Sequence, residues 1–298
     1  MPSLEQAPLA WRPPSRSGSY DPEPAATAKN VVVVGAGPAG LEAARVAAER
    51  GHSVTLYEKK GSVGGLLEFA NNVKGPHENL SVLRSYFERQ MEVLGVNVML
   101  NTEATADMIK ALNPYAVFIA SGSNAVSIPL PGLDTVPVYQ SHDVLVQNMY
   151  FENKKIVVLG GGITGLEVAL FVRRQGNEVD VVDMLPAWPE AMTDLRFQQE
   201  ACLETRHCND QGVGLHYDHK AVKFEDGKLI AESTKDGSTL ALAADVVIMS
   251  VGVKPNDALY NELLAAGLNV YKGGDALATG KINKAVLHGS KFGVTLDE

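Results

Sequence analysis

Three glycines and an acidic residue near the start of the chain have the types and spacing needed to hold a pyrophosphate and a ribose. Gly35 allows a tight turn, Gly37 lets a phosphate approach the backbone, and Gly40 lets a helix pack closely on a strand. Backbone N–H groups at a helix N-terminus bind phosphate, and a carboxylate after the next strand accepts hydrogen bonds from a ribose. The candidate residues are Gly35, Gly37, Pro38, Ala39, Gly40 and Glu58. Together they predict a dinucleotide-binding site.

The elements that must position these residues are recognisable around them. Residues 31–34 are four consecutive valines, which is typical of a strand buried on both faces. The Ala-rich segment that ends near Gly51 predicts a helix, and residues 53–57 predict a second strand leading to Glu58. The glycine spacing alone would be a weak motif, but strand, turn, helix and distal acid in one unit make it specific.

The same unit occurs a second time, 125 residues later. Residues 156–183 align with residues 31–58 without a gap, and ten of the 28 aligned pairs are identical. Two dinucleotide sites in one chain predict two cofactors that exchange a hydride. Glu167 is a candidate contact for a nicotinamide carboxamide, but Glu42 occupies the matching position, so a role shared by both helices is an equal alternative. The candidates in this unit are Gly160, Gly162, Gly165, Glu167 and Asp183.

Composition narrows the classes of function. A length of 298 residues with 45% hydrophobic residues is typical of two domains with their own cores. The 26 Lys and Arg against 35 Asp and Glu give a net charge of −9, which argues against nucleic acid and anionic membranes as partners. No apolar run reaches the roughly 18 residues of a membrane span. The two cysteines and seven histidines lack metal-ligand spacing, and so few cysteines predict a reducing cytoplasm.

The remaining segments supply loops and a second group of strands. Gly65 lies in a glycine-bearing loop after Glu58 that lets the backbone approach a ligand. Short strands are predicted at residues 213–216, 221–224, 229–232 and 240–243, and a helix at about residues 283–289. Cys202 and Cys208 fall on a predicted helix on different faces, which favours inert thiols.

These features together resemble the flavoproteins with paired dinucleotide-binding domains. The supporting residues beyond the two units are Ser121 and Gly122 after a buried strand, the segment 251–256 (VGVKPN), and the sequence Gly-Gly-Asp at 273–275. More narrowly, residues 29–289 are similar to the C-terminal half of 2,4-dienoyl-CoA reductase, trimethylamine dehydrogenase and other multidomain relatives of old yellow enzyme.

The resemblance implies an α/β fold with two Rossmann-like domains, the second inserted into the first. Residues 30–140 and 253–298 would bind FAD, residues 141–252 would bind NAD, and residues 1–29, which contain six prolines, would form an N-terminal arm. Gly122 and Gly252 would line the two cofactors. Asp275 would bind the ribityl chain of the flavin, and a helix beginning near Ile282 would aim its N-terminus at the flavin ring.

The predicted function is an NADH-dependent FAD oxidoreductase module that passes electrons to a partner or to an external acceptor. The relatives carry an FMN-bearing barrel and a cysteine cluster for iron–sulfur ligation ahead of this region, and disulfide reductases carry a redox-active cysteine pair. Neither feature is recognisable in the sequence, so we expect a partner such as an FMN-barrel or iron–sulfur subunit, docked by residues 11–20. The alternative is a structural subunit that holds ADP or FAD without turnover.

Overall fold

The computed structural model describes residues 22–74, 79–187 and 195–297. The predicted docking segment, residues 11–20, lies outside the described residues. Within these ranges the helices are α1 (Pro38–Glu49), α2 (Leu67–Lys74), α3 (Leu80–Val93), α4 (Ala106–Ala111), α5 (Ser141–Val146), α6 (Ile163–Arg173), α7 (Leu195–Asp210), α8 (Ala258–Ala265) and α9 (Ile282–Thr295).

The strands alternate with these helices in the α/β manner. They are β1 (Asn30–Val34), β2 (Ser53–Tyr57), β3 (Asn97–Met99), β4 (Ala116–Ile119), β5 (Ser123–Ala125), β6 (Val138–Gln140), β7 (Lys155–Leu159), β8 (Glu178–Val182), β9 (Gly214–His216), β10 (His219–Glu225), β11 (Lys228–Ser233), β12 (Thr239–Ala243), β13 (Val246–Met249), β14 (Val253–Pro255) and β15 (Val270–Lys272).

The chain divides into two compact units, and the second is inserted into the first. Of the described residues, one unit holds 22–71, 79–124 and 254–297, and the other holds 72–74, 125–187 and 195–253. This division differs from the expected boundary between residues 140 and 141. The physical reason is that β6 pairs with β13 in parallel, which makes residues 138–140 part of the second sheet. The expected fold class, two Rossmann-like domains with one inserted into the other, is confirmed.

The first unit is built on a parallel sheet of order β15-β4-β1-β2-β3. The valines of β1 are buried on both faces, as four consecutive apolar residues predict for a central parallel strand. One side of β1 packs with α1 and α9 around Phe118 and Phe292, whose rings stack with centroids 4.6 Å apart. This sheet places the carboxyl ends of β1, β2 and β4 at one edge, where open α/β sheets bind their ligands.

Helix α9 is longer than the predicted segment 283–289, because it continues through Gly289 and Gly293 to Thr295. A Cβ atom on Gly289 would lie 2.8 Å from the backbone nitrogen of Ala43, and one on Gly293 would lie 2.6 Å from Cγ1 of Val46. The two glycines therefore let α9 lie directly on α1. Glycine often ends a helix, but Gly289 and Gly293 lie inside α9 and allow it to pack closely on α1.

The second unit repeats the parallel arrangement and adds an antiparallel sheet. Its parallel sheet has the order β6-β13-β7-β8-β9, and β10, β11 and β12 pair as antiparallel neighbours. The predicted hairpin turn at Asp226 and Gly227 is confirmed, because both residues have positive φ, 50° and 71°. The side chains of Phe224 and Leu229 from this hairpin pack against the parallel sheet around Val157 and Val247.

Candidate functional site

The first candidate site lies where β1 turns into α1. Gly35 has φ of +97°, and a Cβ on Gly40 would overlap the carbonyl oxygen of Gly35. Gly37 is the N-cap of α1 and Pro38 opens the helix, with no side chain capping its N-terminus. The first intrahelical bond runs from the N–H of Leu41 to the carbonyl of Gly37 at 2.9 Å. The N–H groups of Ala39 and Gly40 therefore lie in a first turn that has no helical acceptor for them, as an anion site requires.

The carboxylate of Glu58 is held beside this turn by the main chain. Its Oε2 accepts a hydrogen bond from the N–H of Ala36 at 2.8 Å, and its Oε1 accepts one from the N–H of Lys60 at 2.8 Å. Glu58 is buried and follows β2 directly. Two backbone donors fix the plane of the carboxylate and leave each oxygen with a further lone pair, which suits two ribose hydroxyls.

Two more predicted glycines lie at this edge of the first unit. Gly65 has φ of +56°, and a Cβ on it would come within 2.8 Å of the Cα of Gly37. The loop after β2 therefore lies against the glycine turn. Gly122 follows β4 and has φ of +74°, and a Cβ there would meet no atom of the described residues within 4 Å. Positive φ explains the glycine at both positions, and close backbone packing also explains it at Gly65.

The second unit reproduces this geometry at matching positions. Gly162 is the N-cap of α6, Gly160 has φ of +104°, and a Cβ on Gly165 would overlap the carbonyl oxygen of Gly160. Asp183 accepts from the N–H of Gly161 at 2.6 Å through Oδ2 and from the N–H of Leu185 at 2.8 Å through Oδ1. These donors correspond to Ala36 and Lys60 at the same offset of 125 residues.

Side chains beside the two acids differ between the units. Lys59 and Lys60 follow Glu58, whereas Met184 and Leu185 follow Asp183 and are 54% and 62% exposed. A Cβ on Gly161 would lie 2.9 Å from the ring of Tyr217, so this ring fills the space that the Cβ of Ala36 takes in the first unit. Sequence reasoning missed Tyr217, because no motif marks the residue after β9.

Gly252 follows β13 as Gly122 follows β4. Its φ is +103°, and within the described part of the chain a Cβ on it would meet no atom within 4 Å. Its carbonyl accepts from the N–H of Val126 at 3.0 Å, and the carbonyl of Gly122 accepts from the N–H of Asn256 at the same distance. Both glycines therefore lie at the carboxyl end of the strand next to the central strand of their sheet.

Asp275 and the start of α9 lie in the first unit, as the resemblance implies. Asp275 lies in a short 3-10 turn, and its Oδ1 accepts from the N–H of Gly280 at 3.1 Å. Burial raises the pKa of the Asp275 carboxyl, while the bonds from Gly280 and Ser123 act against this shift. The buried His288 on α9 accepts from the N–H of Gly274 through Nδ1 at 3.1 Å and so holds the turn. Helix α9 begins at Ile282.

Glu42 and Glu167, which occupy matching positions in the two units, are both buried. This agrees with the alternative that they have a role shared by both helices. Glu42 forms an ion pair with Arg45 at 2.8 Å, and the bond to Glu42 raises the pKa of Arg45. The residue that matches Arg45 in the second unit is Leu170, so this ion pair is not repeated around Glu167. The contact of Glu167 with a nicotinamide stays a prediction.

The two cysteines lie on α7 in different environments, as predicted. Cys202 is exposed, whereas Cys208 is buried and its thiol lies 3.8 Å from the carbonyl oxygen of Leu166. Burial raises the pKa of Cys208 to about 12. Among residues 22–74, 79–187 and 195–297 there is no cluster of three or more side chains able to hold a metal ion.

These residues fit two dinucleotides. In each unit a helix N-terminus without a side-chain cap faces a glycine turn, and a carboxylate is held next to it by two backbone N–H groups. The added half-buried Asp275 in the first unit suits a ligand with more polar groups than ADP.

Comparison with known proteins agrees with this geometry. The family model described as pyridine nucleotide-disulphide oxidoreductase matches residues 29–281. The chain belongs to this family. FAD and NAD(P)H are the cofactors of the family, and the assignment of the chain as an FAD-dependent oxidoreductase is confirmed.

Individual relatives are longer than this chain. The NADH oxidase of Thermoanaerobacter brockii is 32% identical over 287 residues, which cover 92% of this chain and 42% of the relative. The structure of 2-naphthoyl-CoA reductase matches with a TM-score of 0.80 and 31% identity, over 91% of this chain and 40% of that one. Histamine dehydrogenase from Rhizobium sp. 4-9 shares the fold with a TM-score of 0.79 and 24% identity, over 93% and 45%.

The chain therefore spans less than half the length of these relatives. 2-Naphthoyl-CoA reductase and histamine dehydrogenase are old-yellow-enzyme-like multidomain proteins, so the expected resemblance is confirmed. In the described part of the chain no helix combines the length and the apolar character needed to cross a membrane.

Proposed function

We propose that this chain is an NADH-dependent FAD oxidoreductase module that passes electrons from NADH to a partner protein or an external acceptor. The observation that carries the proposal is the repeated carboxylate arrangement, in which Glu58 and Asp183 each accept two backbone N–H groups beside a glycine turn. A chain with one such site would bind one nucleotide. Two sites supply the donor and the acceptor of a hydride within one chain.

We assign FAD to the first unit and NADH to the second. FAD supplies the ability to accept a hydride and release its electrons in later steps. In the first unit Glu58 binds the adenosine ribose, the N–H groups of Ala39 and Gly40 hold the pyrophosphate, and Asp275 binds the ribityl chain. The N-terminus of α9 at Ile282 stabilises negative charge on the ring. In the second unit Asp183 binds the ribose and Gly162 and Gly165 shape the phosphate turn.

None of the residues assigned to FAD or NADH forms a site for the electron acceptor. By resemblance to the longer relatives, we propose an FMN-barrel or iron–sulfur protein as the partner. The only two cysteines, Cys202 and Cys208, are in the second unit, and the high pKa of Cys208 does not suit a dithiol relay.

The experiment is to purify the chain, release any bound flavin by denaturation, identify it by chromatography, and follow the visible spectrum when NADH is added without oxygen. The proposal predicts FAD in a 1:1 ratio and loss of its absorption on NADH addition. Bound FAD that NADH does not reduce would support the alternative of a structural nucleotide-binding subunit. Recovery of ADP or FMN alone would contradict the assignment of FAD to the first unit.

A further inference from the structure

The loop between β2 and α2 lies against the phosphate-binding turn of the first unit. The N–H of Gly64 donates to the carbonyl of Ala36 at 2.8 Å, and Gly65 lies so close to Gly37 that a Cβ would come within 2.8 Å of its Cα. The loop backbone therefore forms one wall of the space in front of the helix N-terminus. Neither glycine has a side chain with which the loop could fix its own position.

Arg84 of α3 packs against the same loop at Gly64. Gly64 has φ of +117°, and a Cβ on it would lie 3.2 Å from Cδ and 3.6 Å from Nε of Arg84. Gly65 faces Gly37, whereas Gly64 faces Arg84. The loop therefore contacts the glycine turn through Gly65 and Arg84 through Gly64.

Two ion pairs keep Arg84 in this place. Its Nε lies 3.1 Å from Oε1 of Glu88, one turn along α3, and its Nη1 lies 3.2 Å from Oε2 of Glu68 in the first turn of α2. The side chain of Arg84 is only 31% exposed. One guanidinium thus joins α3, the glycine loop and the start of α2. The partner side chains Glu68 and Glu88 are 49% and 43% exposed, so these ion pairs add little to global stability. Their expected effect is on the position of the loop.

We propose that Arg84 is a positioning residue for the FAD pyrophosphate, acting through the loop that contains Gly64 and Gly65. The inference rests on the proposed function, in which the first unit binds FAD. Backbone donors hold a phosphate only while the walls of the site keep their spacing, because hydrogen bonds weaken steeply with distance and angle. Loss of Arg84 lets the loop move away from Gly37 and widens the site.

The test compares Arg84→Ala with Arg89→Ala in the full chain. Arg89 is on the same helix and pairs with Glu92 at 3.0 Å, but it is 71% exposed and does not pack on the glycine loop. The dissociation constant of FAD is measured by flavin fluorescence on reconstitution, and the unfolding temperature of the flavin-free protein is measured in parallel. Arg84→Ala should raise the dissociation constant about tenfold, while Arg89→Ala should leave it unchanged.

Two further variants separate positioning from general stability. Arg84→Lys keeps the charge and most of the aliphatic stem but replaces the two pairing nitrogens with one, so it should recover only part of the affinity. Glu68→Gln should weaken FAD binding less than Arg84→Ala does. Two results would overturn the positioning role. One is an FAD dissociation constant of Arg84→Ala equal to that of the wild type. The other is a raised dissociation constant accompanied by a lower unfolding temperature of the flavin-free protein, which would mean a general loss of stability. If the wild-type chain itself binds no FAD, the proposed function fails instead.

Discussion

We propose that the carboxylate of Asp183 determines which nicotinamide nucleotide the second unit accepts. A carboxylate at this position would accept hydrogen bonds from a ribose 2′-hydroxyl and repel a 2′-phosphate, and the two residues that follow Asp183, Met184 and Leu185, carry no charge. We therefore predict a preference for NADH over NADPH. Asp183→Ala should lower kcat/KM for NADH about 10- to 100-fold, since a hydrogen bond to a charged group contributes roughly 1.5–3 kcal/mol, and it should not lower the value for NADPH.

Initial rates of flavin reduction with the two nucleotides measure this effect. Asp180→Ala is a matched control, because Asp180 lies on β8, the strand that leads to Asp183, but bonds to His216 at 2.7 Å instead of to the glycine turn. Its ratio of NADH to NADPH rates should equal that of the wild type. Equal or better kinetics of the wild type with NADPH would contradict the prediction.

The two thiols should differ sharply in reactivity. The pKa of Cys208 is raised to about 12 by burial, so at pH 8 only about one thiol in 10⁴ is in the reactive thiolate form. Cys202 is exposed. Iodoacetamide at pH 8 should add a single label to the native chain, as intact mass reports. Cys202→Ser should take up no label until denaturant is added; fast labelling of folded Cys202→Ser would show that Cys208 is accessible.

At the residue scale, the motif glycines could be predicted because each occupies a backbone position that only glycine can adopt. Gly35, Gly40 and their equivalents are fixed by positive φ or by near-overlap with a carbonyl oxygen. Tyr217 and Arg84 could not be predicted. Their contacts with Gly161 and Gly64 join residues that are 56 and 20 positions apart, and ordinary residue types at such separations carry no local pattern.

The close packing of α9 on α1 depends on the small residues between the two helices. Gly293→Ala places a methyl group 2.6 Å from Cγ1 of Val46 and 3.2 Å from the nitrogen of Ala47. These atoms belong to the backbone or lie close to it, so the clash can be relieved only if α9 and α1 move apart. We expect the free energy of unfolding of the first unit to fall by about 1–3 kcal/mol, the usual cost of overpacking. Urea denaturation followed by circular dichroism and flavin release measures it.

Gly280→Ala provides the control for this substitution. Among the described residues, the nearest atoms to a Cβ there belong to the side chain of Lys284, and the closest of them is Cδ, at 3.1 Å, in the flexible part of a long side chain. This variant should unfold like the wild type. Equal stability of Gly293→Ala and Gly280→Ala would mean that α9 does not lie on α1 as closely as the geometry states.

Elements with a strong local pattern could be predicted from the sequence, and those without it could not. The valine strand, the two glycine-led helices and the hairpin at Asp226 and Gly227 each have composition and turn chemistry that agree. The full length of α9 was missed because Gly289 and Gly293 normally weaken a helix, and only contact with α1 explains them. The expected boundary at residue 140 differs from the division into compact units because β6 is short and pairs with residues that lie 109 positions later.

For the whole molecule, we predict that the isolated chain oxidises NADH with artificial dyes or quinones but has little activity on disulfides or enoyl-CoA. Small acceptors need only reach the flavin, whereas disulfide reduction requires a reactive cysteine pair, and the only cysteines are Cys202 and Cys208 on α7. Steady-state assays with each acceptor decide between these outcomes. Turnover of a physiological disulfide or enoyl-CoA at ordinary enzymatic rates would contradict the module interpretation.

A partner would be identified by co-purification with the full chain and with a chain lacking residues 1–28. The docking role proposed for residues 11–20 predicts loss of the partner in the shorter form. Unchanged co-purification would remove the docking role and leave electron transfer untouched.

The use of main-chain donors around Glu58 and Asp183 has a consequence for how such a protein can change over evolutionary time. The N–H groups of residues 36, 60, 161 and 185 are supplied whatever side chains those residues carry, and the two units indeed carry alanine and lysine in one and glycine and leucine in the other. The geometry of the carboxylate and the glycine turn is therefore inherited with the backbone after a duplication. The side chains beside each acid can then be substituted, so the nucleotide specificity of one unit can change while that of the other is kept.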